Sequence, residues 1–231
     1  MNKKLVIFSG AGMSAESGIK TFRATDGLWE NHRIEDVATP EAFRRDPALV
    51  LEFYNLRRKQ VMAAQPNAAH QMLAKLQNDF DVQIITQNID DLHERAGSKN
   101  VLHLHGEIMK SRSSVDENDL YAVQNGKINL GDKCQRGFQL RPHVVWFGED
   151  VPLIQTARHL ASRADIFLII GTSLVVYPAA GLVNAAPLQI PKYLIDPGDF
   201  DLHSYTNLQH IKQNATIGLQ ELLPVLQAFS E

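Results

Sequence analysis

Five short runs of apolar residues punctuate the chain, at residues 5–8, 82–85, 101–104, 166–170 and 192–195, each nearly continuous rather than alternating with polar positions. Runs of that length, rich in Ile, Val and Leu, predict strands buried on both faces and hence a mainly parallel sheet covered by helices. Helical patterns recur between them, which is the strand–helix alternation of an α/β fold. Residues 9–81 separate the first run from the second, far more than one crossover needs. Inside that interval Thr39-Pro40-Glu41 and Asp46-Pro47 each join a capping side chain to proline at the first helical position. The interval therefore predicts a helical insertion packed over the edge of the sheet. A second stretch, from residue 107 to about 140, is polar and aperiodic and carries the turn signals Asn125-Gly126 and Gly131-Asp132. It predicts a small irregular module. Residues 217–229 predict an amphipathic closing helix that Pro224 shortens or kinks.

Composition narrows the partners more than the fold. With 231 residues, 44% hydrophobic and 21% charged, the chain suits one large globular domain or a domain carrying an insertion. A net charge of −3 gives no electrostatic reason to expect nucleic acid or an anionic membrane. The one cysteine, Cys134, excludes an internal disulfide framework and fits a reducing compartment. The basic residues before the first apolar run imitate a signal peptide, but residues 5–8 are too few for its apolar region. The expectation is a cytoplasmic protein without a membrane span.

Chemistry begins at Gly10-Ala11-Gly12-Met13-Ser14-Ala15, which satisfies G-x-G-x-x-G/A directly after the first strand. Glycines there let a diphosphate approach the backbone, and the helix start offers unpaired N–H donors. The same residues also read as a tight strand-to-helix turn with no ligand. An acidic residue about 20 positions later should end a second strand and hold a ribose. That region is Gly27-Leu28-Trp29-Glu30, which is not strand-like, so a hydride-transferring dehydrogenase is disfavoured.

The segment from Gly10 to Arg23, G-A-G-x-S-x-x-S-G-I-x-T-F-R, resembles the opening signature of the sirtuins, NAD-dependent protein deacylases. T-Q-N-I-D at Thr86 to Asp90, L-H-G at Leu104 to Gly106, R-P-H-V-V-W-F-G-E at Arg141 to Glu149 and G-T-S-L-V-V-Y-P at Gly171 to Pro178 follow in that family's order. The resemblance covers nearly the whole chain. It implies one catalytic domain over 1–231, a Rossmann-like, doubly wound sheet formed by about 1–38, 80–106 and 142–231, with a small subdomain from insertions at about 39–79 and 107–141.

It also implies a reaction: nicotinamide is expelled from NAD, the acyl oxygen of an acyl-lysine attacks the ribose carbon, and O-acyl-ADP-ribose is released. His105 would be the general base on a ribose hydroxyl, a task that suits a side chain accepting a proton near neutrality. Read alone, His103-x-His105 on an apolar strand is equally a structural or a metal pair. Asn88 and Asp90 would hold the carboxamide and ribose, flanked by Gln87 and Ile89, although Asp90 or Asp91 also reads as a helix cap. Gly10, Ala11, Gly12, Ser14, Phe22 and Arg23 would line the phosphate and nicotinamide region. Gly171, Thr172 and Ser173 would form a second phosphate cradle, and Ile195 and Asp196 would meet the adenosine ribose. Asp196 stands where the family more often has asparagine. Val144, Phe147, Gly148 and Glu149 resemble the strand that clamps the peptide by backbone pairing, and otherwise read as a sheet edge.

Val50, Tyr54, Arg57 and Val61 share one helical face. An arginine within an apolar stripe calls for an anion. Tyr54 and Arg57 match the Y-x-x-R pair of the class III sirtuins, which prefer malonyl-, succinyl- or glutaryl-lysine, and the small Ala24 fits an enlarged acyl pocket. Pairing of Arg57 with Glu52 or Asp46, or an outward course, is the alternative. Most sirtuins hold a zinc in two C-x-x-C pairs. Here the first pair's region reads Ser111-Arg112-Ser113-Ser114, and the second keeps Cys134 but has Gly137. No structural zinc is expected, and the module would then be held by packing alone. An NAD glycohydrolase or ADP-ribosyltransferase on the same fold, or a non-catalytic NAD sensor, are the competing readings.

Overall fold

The first apolar run becomes β1 (Lys4–Ser9), and the glycine turn leads from it into a one-turn helix, α1 (Gly12–Ala15). Two short strands, β2 (Leu28–Trp29) and β3 (His32–Arg33), pair antiparallel, and then come α2 (Ile34–Val37), α3 (Pro40–Arg45), α4 (Pro47–Ala63) and α5 (Ala68–Lys75). After β4 (Asp81–Thr86), α6 (Leu92–Arg95) and β5 (Val101–His103) come β6 (Gly106–Ser113), β7 (Leu120–Ala122) and β8 (Leu140–Val144). The chain closes with α7 (Ile154–Ser162), β9 (Ile166–Ile170), β10 (Lys192–Ile195), β11 (Leu208–Ile211) and α8 (Ala215–Ser230). This computed structural model describes residues 2–20, 28–29, 32–174, 177–203 and 205–230.

All five expected strands form one parallel sheet in the order β11-β10-β9-β1-β4-β5. The sixth strand, β11, has the sequence LQHI and is only half-buried at the edge, so it lacks a continuous apolar run. Alternation across the pleat divides the core in two. Leu5 and Ile7 of β1 face the same side as Ile84, Leu168, and α5 and α8 residues such as Leu73 and Leu222. Val6 and Phe8 face the other side, against Ile85, Phe167 and Ala157 and Ala161 of α7. Numbered along the chain, the six strands run 3-2-1-4-5-6 in reverse, so β1 and β9 are the neighbours at which the winding changes direction. Ligands bind outside the carboxyl ends of strands at such a point.

Both proline-started helices form as their caps dictate: Thr39 Oγ1 accepts from Ala42 N–H at 3.0 Å, and Asp46 Oδ1 accepts from Leu49 N–H at 3.0 Å. The insertion divides: α4 rests on β6 and β8, burying Val50, Phe53, Tyr54 and Val61 against Ile108, Val144 and Trp146, whereas α5 packs Ala69 and Leu73 on the main sheet. The stretch after residue 107 is more regular than its polarity suggests, since β6 pairs antiparallel with both β7 and β8. Packing alone does not hold it. Asn55 donates to Ile128 C=O and accepts from Ile128 N–H, both at 2.9 Å, and the buried Arg58 donates from Nε to Ile108 C=O at 2.7 Å. The closing helix runs through Pro224 without ending there. Among the described residues no helix is long and apolar enough to cross a membrane, and no group of three or more Cys, His, Asp and Glu is placed to hold a metal.

Candidate active site

At the carboxyl ends of β1 and β9 two glycine loops interlock. Gly10 N–H donates to Ile170 C=O at 2.9 Å and Gly12 N–H to Gly171 C=O at 2.8 Å. A Cβ on Gly10 would lie 2.7 Å from the Gly171 carbonyl oxygen, and one on Gly171 (φ +62°) only 2.3 Å from Met13 N. No other residue permits so close a crossing. Above it opens a cavity of about 950 Å³, large enough for a sizeable ligand. Gly10, Ala11, Gly12, Ser14, Gln87, Asn88, Ile89, Asp90, His105, Gly171, Thr172, Ser173, Ile195 and Asp196 all line it. Phe22, Arg23 and Ala24 lie outside the described residues, as do Val175 and Val176.

The polar groups of this wall form one network. Ser14 Oγ donates to Asp90 Oδ2 at 3.0 Å, while Asn88 Nδ2 donates to Ser14 Oγ and to Gly10 C=O, both at 3.1 Å. Asp90 Oδ1 accepts from Leu92 N–H at 3.2 Å, so this carboxylate, one residue outside the α6 cap at Asp91, bonds the first N–H of the helix and lines the site at once. Burial pushes its carboxyl up from the ordinary value, against the pull of the Leu92 N–H, Ser14 and His103. Gln87 Nε2 donates to Thr172 Oγ1 at 2.9 Å, tying the second glycine loop to β4. Asp196 is buried, and its Oδ1 accepts from Gly198 N–H at 2.8 Å.

β5 ends at His103, which puts His105 in a turn rather than on the strand. His105 Nδ1 is 3.1 Å from Gln87 C=O. A carbonyl only accepts, so Nδ1 carries the proton and Nε2 keeps its lone pair. Burial pulls the imidazole below its ordinary value of 6.5, partly offset by the Gln87 bond. His105 is therefore a neutral base in the cavity wall. His103 does not line the cavity; it contacts Asn88 C=O and Glu94 instead.

The other end of the cavity is aromatic and basic, with Tyr54, Arg57, Val61, Ala38 and Trp146 as lining. All four stripe residues of α4 are buried, Arg57 being 6% exposed. Asp46 caps α4 and Glu52 is exposed. Trp146 Nε1–H donates to Tyr54 Oη at 3.0 Å. Burial pushes the phenol far above its ordinary range, so Tyr54 keeps its proton at every working pH.

Residues 147–149, expected as a clamping strand, form a turn after β8. Glu149 N–H donates to Trp146 C=O at 3.0 Å, and Gly148 has φ +89°. The cause is the Glu149 carboxylate, which accepts from Arg141 at 2.6 and 3.0 Å, from Arg112 at 3.2 and 3.3 Å and from Trp146 N–H at 2.8 Å. Burial would raise this carboxyl, but Arg141 outweighs it and holds Glu149 below the ordinary value. The Arg141 guanidinium in turn stacks 3.2 Å from the Trp146 ring centroid. Val144, Phe147, Gly148 and Glu149 thus line the cavity, with Glu149 fixing Trp146 and, through it, Tyr54. Trp146, Asn214 and Ala215 are lining residues that sequence reasoning missed. Asn214 lies just before α8 and Ala215 begins it, after β11, and both become legible only once β11 is recognised.

The Sir2 family profile matches residues 10–178, from the first glycine of the turn to the end of the second cradle. The chain belongs to the Sir2 family. It is 51% identical over 229 residues to a Bacteroides thetaiotaomicron protein named NAD-dependent protein deacylase, covering 97% of this chain and 98% of that one. A Helicobacter pylori protein of the same name is 51% identical over 224 residues, covering 97% of each chain. Among solved structures, a Sir2 homologue in complex with NAD superposes with a TM-score of 0.88 at 41% identity, covering all of this chain and 91% of that one. The sirtuin resemblance of the five motifs and the α/β sheet read from the apolar runs both hold.

Proposed function

We propose that this protein is an NAD-dependent protein-lysine deacylase that prefers acidic acyl groups, succinyl, malonyl or glutaryl, and retains some deacetylase activity. The observation that carries the reading is one cavity lined by two chemically distinct groups, a glycine-loop and Asp90–Asn88–Ser14 wall and the Tyr54–Arg57 pair, with His105 on the lining bonded to Gln87 on one side and to Val145, next to Trp146, on the other. The residues present suit NAD, because the interlocked glycine loops bring backbone close to a diphosphate and Asn88, its Nδ2 spent on Gly10 and Ser14, offers its amide oxygen to a carboxamide N–H. Bound there, NAD supplies an electrophilic ribose carbon once nicotinamide leaves.

The chain's own groups then have separate tasks. Asn88, Ile89 and Asp90 orient the nicotinamide end, and Gly171, Thr172, Ser173, Ile195 and Asp196 orient the rest of the dinucleotide. His105 Nε2 accepts a ribose hydroxyl proton. Arg57 offers a planar pair of N–H donors to a terminal carboxylate and Tyr54 a third donor. Acyl-lysine protein or peptide enters past Val144, Phe147 and Gly148 at the rim.

Matched peptides carrying succinyl- or acetyl-lysine, incubated with NAD, test the acyl preference. The reading expects a kcat/KM at least tenfold higher for succinyl-lysine. Equal rates, or a faster acetyl peptide, contradict it.

A further inference from the structure

His103 takes no part in the scheme above, yet it is 9% exposed and fully engaged. Its Nδ1 is 3.0 Å from Asn88 C=O, and its Nε2 is 2.7 Å from Glu94 Oε1. A carbonyl and a carboxylate only accept, so both ring nitrogens donate and the ring is an imidazolium. Burial disfavours that charge, but Glu94 and the Asn88 carbonyl outweigh burial and raise the imidazole above its ordinary value. Glu94 belongs to α6, which begins just after the 87–91 loop. The pair therefore ties the end of β5 to both flanks of that loop. Two consecutive carbonyls, Gln87 and Asn88, are held by His105 and His103 respectively. On the opposite side, Asn88 N–H donates to Thr86 Oγ1 at 3.0 Å.

We infer that His103, anchored by Glu94, is a positioning residue for the loop carrying Asn88 and Asp90. By fixing the Asn88 carbonyl, its Nδ1–H presents the Asn88 amide and the Asp90 carboxylate to the cavity already oriented for the nicotinamide end of the dinucleotide. The inference rests on the proposed NAD-dependent reaction. It separates two histidines one residue apart: His105 faces substrate, and His103 acts only through Asn88.

The test is steady-state kinetics of His103→Gln and His103→Asn with NAD and a succinyl-lysine peptide, alongside nicotinamide inhibition. The Gln amide takes the place of Nε2 and cannot reach Asn88 C=O, whereas the shorter Asn amide takes the place of Nδ1. Losing one charge-assisted hydrogen bond predicts a rise of about tenfold in KM for NAD in His103→Gln, with nicotinamide inhibition weakened in parallel and the peptide KM within about twofold. His103→Asn should recover most of the loss. An unchanged KM for NAD in His103→Gln, an equal rise in the peptide KM, or no recovery in His103→Asn would overturn the inference. Should the wild-type protein deacylate no peptide, the proposed function fails. Calorimetric NAD affinities of the same variants then decide the role of His103 by the same tenfold difference and recovery.

Discussion

A neutral imidazole whose Nδ1–H is committed to the Gln87 carbonyl can do one thing in the cavity, which is to take a proton on Nε2. Substituting His105→Ala should lower kcat by about 10²–10⁴-fold while NAD affinity changes little, the range typical of general-base loss. Calorimetry beside turnover rates checks both halves. Because burial depresses the imidazole below 6.5, the acid limb of the kcat/KM profile should fall below pH 6.5. A limb above that value would mean that the base is not this residue. At the far end of the cavity, Arg57→Met should cut kcat/KM for succinyl-lysine by about 10–100-fold, one charge-assisted hydrogen bond pair, and leave acetyl-lysine within about threefold. Equal losses on both substrates would assign Arg57 a structural role. Sequence made these residues legible through motif order, since a histidine on a short apolar run has no chemical signature of its own. Glu149 shows the limit: Arg112 and Arg141 come from different strands, and nothing local announces that they claim its carboxylate.

Elements were legible where burial on both faces left a continuous apolar run, as in β1 and β9, and where a cap met a proline, as at Thr39 and Asp46. They were not legible where one face is polar. β11 and β6 both carry polar residues into their ladders, so neither stands out by hydrophobicity. The small sheet is secured by side chains on α4, a helix far away in sequence, and its stability should depend on them. Asn55→Leu would strand the Ile128 N–H and C=O, and Ile128 is 2% exposed. The expected cost is about 2–4 kcal/mol from two unpaired buried backbone groups, read from urea unfolding, with hydrogen exchange accelerating over residues 120–139. A loss under about 0.5 kcal/mol would show that packing is enough to hold the small sheet.

Stability of the whole molecule should be sensitive to acid through two histidines behind the glycine turn. His70 and His93 are buried with ring centroids 4.9 Å apart, and His93 Nε2 is 3.0 Å from Ser9 Oγ. Burial lowers His70 to about 4 and places His93 well below its ordinary value. Unfolded histidines titrate near 6.5, so below that pH the unfolded chain binds protons that the folded chain refuses. Their contribution is complete above pH 6.5 and is lost as pH falls toward 4, for His70 on the order of 3 kcal/mol. The raised His103 has the opposite sign, contributing fully below its ordinary value and less as pH rises through its raised one. Urea midpoints at pH 7.5, 6 and 5 should therefore decline stepwise, with the decline reduced in a His70→Gln variant; a flat series would show these rings to be charged in the fold.

Nicotinamide release with and without an acyl-lysine peptide measures directly how the dinucleotide and acyl ends of the cavity are coupled. Release that requires the succinyl-lysine peptide, with nicotinamide, deacylated peptide and O-acyl-ADP-ribose in equal yield, is the predicted result. Nicotinamide released at the same rate without any peptide would contradict it and make the protein an NAD glycohydrolase, or an ADP-ribosyltransferase acting on another acceptor.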